Sequence, residues 1–96
     1  MKRVKAVAKM LAREHMADDE NIAEVYWAQH DGEVRLVEVT SSISGTGEVL
    51  AFKFTADPPE VPYPSVVILL SPEDWKRKDK LEWPDGFETL EKISGV

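Results

Sequence analysis

The sequence predicts an α+β domain with an N-terminal helix, a four-stranded, mainly antiparallel sheet, a C-terminal helix and a short terminal helical turn. Three observations carry that prediction. Residues 3–17 are strong helix formers with no Gly or Pro. Asp31-Gly32 divides two stretches rich in β-branched and aromatic residues, the pattern of a tight β-hairpin. Ser71-Pro72-Glu73-Asp74 is a helix start directly after an apolar run. With 96 residues, the chain forms a single domain, 1–96.

In the first helix, Val4, Val7, Ala8, Met10 and Leu11 fall on one side, with Glu14 and His15 at its edges. Lys2, Lys5, Lys9 and Arg13 form a basic ridge on the other side. After the polar connection Asp18-Asp19-Glu20-Asn21, the hairpin runs from Ile22 to His30 and back from Glu33 to Ser41. A two-residue type I′ turn fixes its register. It pairs His30 with Glu33, Ala28 with Arg35, Tyr26 with Val37 and Glu24 with Val39 on one face. Gln29 with Val34, Trp27 with Leu36, and Val25 with Glu38 pair on the other. Both faces carry large apolar residues, so one meets the helix and the other is covered by the C-terminal segment or left to a partner.

Glu48 to Thr55 alternates as a strand, with Leu50, Phe52 and Phe54 facing inward. Residues 57–64 hold four prolines and form a stiff extended connection. Ser65 to Leu70 is apolar on both faces and reads as a central strand. Ser71 caps the next helix, which is expected to run to about Lys80. Trp83-Pro84-Asp85-Gly86-Phe87 is a turn, and Leu90 and Ile93 suggest the final helical turn.

Composition excludes several chemistries. The chain lacks cysteine, which removes disulfide frameworks, thiol catalysis and zinc–thiolate sites. No run approaches the ~20 apolar residues of a membrane span. Met1-Lys2-Arg3-Val4-Lys5 resembles a signal-peptide start, but Lys9 and Arg13 break the apolar core such a signal needs. The expected setting is therefore the cytoplasm of a prokaryote. Net charge is −6, segregated as +4 over residues 1–17, −8 over 18–71 and −2 over 72–96. An acidic body repels polyanions, which argues against nucleic acid as a partner.

Each candidate site has a plain structural alternative. The Ser44-Gly45-Thr46-Gly47 loop has glycines that could cradle an anion, but it joins two strands and lacks the Walker lysine. His15 with Asp18, Asp19 and Glu20 is the best metal-like cluster, although acids after a helix commonly form a solvated connection. His30 lies beside Glu33 at a convex hairpin tip, a poor place for catalysis. Glu24 and Glu38 fall on opposite sheet faces, so they cannot act as an acid–base pair, and either could guard a strand edge. Pro59-Glu60-Val61-Pro62 has the PxxP form, here inside a connection between strands.

The binding candidates are the ridge Lys2, Lys5, Lys9 and Arg13 and the aromatic set Tyr63, Trp83 and Phe87. The residues favour a small non-enzymatic protein-binding or regulatory domain, with a protein partner or self-association and no cofactor. The alternative is a small metal-dependent or acid/base enzyme centred on His15, Asp18, Asp19 and Glu20.

Overall fold

The computed structural model describes residues 2–45, 47–54 and 65–93. Helix α1 spans Lys2–Asp18, followed by strands β1 (Ile22–His30), β2 (Glu33–Thr40), β3 (Leu50–Phe54) and β4 (Ser65–Leu70). Helix α2 (Pro72–Lys76), a 3-10 turn (Lys78–Lys80) and strand β5 (Glu91–Lys92) complete the chain. The α+β class holds. The sheet, however, has five strands in the order β3-β4-β2-β1-β5 and is mixed, in place of four mainly antiparallel strands.

The hairpin follows from its turn. Asp31 and Gly32 both take positive φ, at 49° and 75°, the conformation a type I′ turn needs. The register from His30↔Glu33 to Glu24↔Val39 is the one the turn dictates. An irregularity between Ile22 and Glu24 then brings Ile22 to the α1 side, where it joins the core.

The parallel contact lies between β2 and β4. β3 follows β2 in the chain but lies beyond β4, antiparallel to it. β4 thus inserts between two strands that precede it, an arrangement no helix marks in the sequence. The C-terminal segment also departs from expectation. Where a helical turn was expected around Leu90 and Ile93, Glu91 and Lys92 pair with Trp27 and Tyr26, and Ile93 N–H donates to the Val25 carbonyl at 2.9 Å. The open edge of β1 offers unpaired backbone groups, and this short segment satisfies some of them.

Two cores flank the sheet. On one face Ala8, Leu11 and Ala12 of α1 pack on Val25, Val34, Leu36 and Val67, with Ile22 and Ile93. Ala12 joins this stripe, while Met10 is only half-buried. On the other face Val37, Val66, Ile68, Leu70 and Phe87 are buried beneath Tyr26, Trp75, Leu81, Trp83 and Leu90. The C-terminal segment therefore covers the second face.

The inward assignment of β3 does not hold. Leu50 and Phe52 lie on the α1 face but are 44% and 46% exposed, because α1 packs over β1 and β2 and does not reach the β3 edge. Phe54, Thr55 and the proline connection, including its PxxP element, fall wholly or by side chain outside the described residues.

The second helix is shorter than expected. Ser71 Oγ accepts from Asp74 N–H at 3.1 Å and Pro72 opens the helix, as the motif requires. The α-helix ends at Lys76, and the chain tightens into the 3-10 turn after Arg77. Ser71 is buried, so Ser71→Ala is expected to cost about 1 kcal/mol and to lower the urea midpoint without changing the slope.

Candidate functional site: an aromatic cleft and a histidine–glutamate pair

A cleft lies on the face covered by the C-terminal segment. It encloses about 630 Å³ and is lined by Tyr26, Trp75, Trp83, Phe87 and Leu90, with Lys78, Asp79 and Glu88 among its polar members. Tyr26 comes from β1, Trp75 from α2 and the others from the turns after it. The rings form a chain. Tyr26 and Trp75 lie 4.6 Å apart, Trp75 and Trp83 meet edge-on at 6.5 Å, and Trp83 and Phe87 are 5.8 Å apart. Such offset and edge contacts add to area burial in fixing the rings.

Polar contacts hold this frame. Trp83 Nε1–H donates to the Lys78 carbonyl at 2.9 Å. Lys78 Nζ sits 4.6 Å from the Trp75 ring centre, a cation–π distance. Tyr26 O–H donates to Glu24 at 2.7 Å. That bond holds the Glu24 carboxyl below its ordinary value, while burial and the same bond push the Tyr26 hydroxyl up. Glu24 also pairs with Lys92 at 3.3 Å.

Trp83 and Phe87, named from the sequence, are thus brought together, and Tyr63 lies outside the described residues. Tyr26 and Trp75 were missed. Their signal was available: Tyr26 shares its strand face with Val37, and Trp75 falls one turn into the capped helix.

A second arrangement lies on the α1 face. Glu38 is only 3% exposed on the central strand β2, and it is hydrogen-bonded to Nδ1 of half-buried His15. It therefore guards no strand edge. Glu38 raises the His15 pKa through that hydrogen bond and its charge, against the opposing effect of burial. His15, Glu38, Phe52, Val67 and Leu69 line a pocket of about 260 Å³.

The proposed metal set is not drawn together. His15 turns to Glu38. Asp19 instead accepts from Asn21 N–H, Thr40 and Ser42, bonds that lower its pKa and tie the α1–β1 connection to the end of β2. Asp18 and Glu20 are exposed. No group of three or more His, Asp or Glu able to hold a metal occurs among the described residues.

The remaining candidates line neither the cleft nor the His15 pocket. His30 Nε2 lies 3.2 Å from Asp31, and Glu33 pairs with Arg35. In the glycine loop, Gly47 N–H donates to Asp74 at 3.3 Å, and Gly45 packs near Ser71 and Glu73. The group facing this loop is thus the chain's own carboxylate, which also takes Arg77 at 2.8 Å. Asp74→Ala removes both contacts and is expected to cost about 1–3 kcal/mol, with faster amide exchange at Gly45 and Gly47 as the local sign. On the basic ridge, Lys5 pairs with Glu91 at 3.5 Å, Lys9 is half-buried and Arg13 is exposed. Lys2 lies in α1, with its side chain outside the description.

No helix among the described residues is long and apolar enough to cross a membrane. Compared with protein-family models, with curated proteins and with solved structures, the chain matches none significantly.

Proposed function

We propose that the protein is a non-enzymatic cytoplasmic domain that binds a partner protein through the cleft bounded by Tyr26, Trp75 and Trp83. The observation that carries this reading is the half-burial of these three rings and Leu90 around about 630 Å³ of open space. Tryptophan and tyrosine in concave sites are enriched among the residues that dominate binding energy at protein interfaces. An apolar side chain entering the cleft would gain roughly 25 cal/mol per Å² of surface removed from water. Lys78, Asp79 and Glu88 would supply the polar rim.

The test is affinity capture with the wild type, Trp83→Ala and the surface variant Glu88→Lys, after each is shown to unfold cooperatively. A stoichiometric protein partner held by the wild type and lost with Trp83→Ala is the expected result. Equal capture by all three would overturn the reading.

A second reading, an acid–base enzyme, draws on one observation: a carboxylate-oriented histidine, His15 on Glu38, lines a pocket. It rests on this pair rather than on Asp18, Asp19 and Glu20. Turnover that is lost in folded His15→Gln would favour it over binding alone.

A further inference from the structure

Among the described residues, α1 is the one helix on its face of the sheet, and the β3 side of that face keeps exposed apolar residues. Strands lie about 4.8 Å apart, so five span roughly 20 Å, and one helix of about 10 Å diameter covers half of that width. α1 takes the half above β1 and β2. Beside it, Leu69 is half-buried, and Leu50 and Phe52 are the exposed large hydrophobics of the described residues. The remaining strip on that side lies over β4 and the β3 edge, where Val67 is covered and Leu50, Phe52 and Leu69 stay accessible. It contains the 260 Å³ pocket between His15, Phe52, Val67 and Leu69.

The charge beside this strip has a sign. Lys5 pairs with Glu91 of β5, which fixes the flank of α1 that looks toward the β5 edge. At 3.6 residues per turn, Glu14 and Asp18 project from the opposite flank, toward β4 and β3. Both are exposed, and both act electrostatically on His15, which lines the pocket. Beside the pocket, at the C-terminal end of α1, the strip is thus an apolar floor with carboxylates along one side.

We propose that this groove docks a basic amphipathic helix of a partner protein, lying alongside α1. Its apolar residues at helical spacing would sit on Leu50, Phe52 and Leu69, and one would enter the pocket. Its Lys or Arg residues would face Glu14 and Asp18. A second helix would complete the layer that α1 begins. The groove is on the opposite side of the sheet from the aromatic cleft, so the two proposals stand or fall separately.

Three synthetic peptides of roughly 14 residues, enough for several turns, provide the test. One carries Leu and Lys at helical spacing, one has the same composition in strict alternation, and one carries Leu and Glu at helical spacing. Amide NMR spectra of the labelled protein report binding. The helical Leu/Lys peptide is expected to saturate at one per chain and to shift Leu50, Phe52, Leu69, Glu14 and Asp18.

Phe52→Asp, at an exposed position that leaves the core intact, is expected to weaken that binding about tenfold or more. Glu14→Lys with Asp18→Lys is expected to weaken it as well, and the Leu/Glu peptide is expected not to bind. Four results would overturn the proposal: no shifts, shifts confined to the aromatic cleft, preference for the alternating peptide, which would mark strand addition at β3, or self-association through β3 without peptide.

Discussion

His15→Leu is expected to destabilise the fold by about 2–4 kcal/mol at neutral pH, because it strips the buried Glu38 carboxylate of its hydrogen-bonded partner. Glu38 lies between apolar neighbours, with Val25 and Leu69 as its cross-strand partners. Unpaired, its carboxylate keeps the cost of burial with nothing to offset it. The double replacement His15→Leu with Glu38→Leu removes the charge along with the partner, and is expected to recover much of the loss.

The pH dependence separates the two forms. Glu38 raises the folded-state pKa of His15 above its ordinary 6.5. The stability this pair contributes is therefore fully present below about pH 6.5 and is lost as pH rises through the raised value. His15→Leu lacks that decline. Urea unfolding of both forms at pH 6, 7 and 8 reads the difference. Parallel pH profiles for wild type and variant would show that the pair contributes nothing.

Gly86→Ala is the second large effect, expected at about 3 kcal/mol. Gly86 has φ +97°, a region that L side chains rarely adopt. An added Cβ would meet His30 Cβ and Cγ at 2.7 Å and Arg35 Nε at 2.8 Å. His30 Cβ cannot swing aside without moving β1, and Arg35 is only 8% exposed, with its Cζ 5.5 Å from the Phe87 ring centre. The strain would therefore pass to Phe87 and loosen the wall of the cleft. Gly32→Ala provides the contrast. Its φ is +75° but nothing lies within 4 Å of the new carbon, so only the turn strain of about 1 kcal/mol applies. Thermal unfolding of both variants reads the difference, and equal losses would mean that the close approach at Gly86 relaxes freely.

The hairpin was legible because its constraint is local. A two-residue turn at Asp31-Gly32 leaves one register, and the pairs from His30↔Glu33 to Glu24↔Val39 follow from it, whereas the shift at Ile22 does not. The cap at Ser71 was legible for the same reason. The β2–β4 contact was not, since strand order depends on long-range pairing that the residue pattern of each strand does not set. Two residues of β5 are too few to show a period.

Among the site residues, Trp83 and Phe87 stood out as aromatics around a turn. The His15–Glu38 pair joins a helix to a strand that follows a hairpin, and only tertiary packing brings them together. Its trace in the sequence was Glu38 inside Leu36-Val37-Glu38-Val39, on the same face as Val25. An acid placed toward the helix needs a partner there, and His15 was at the edge of the helix's inward stripe. The exposure of Leu50 and Phe52 was hidden because alternation shows which residues share a face, and the lateral reach of a helix decides which of them are covered.

Binding through the aromatic cleft is tested most directly by hydrogen–deuterium exchange on the complex with the captured partner. The predicted result is slowed exchange in residues 75–90, around Trp75, Trp83 and Leu90, with residues 50–54 unchanged. Protection confined to 14–18 and 50–54, with the cleft exchanging as in the free protein, would contradict it.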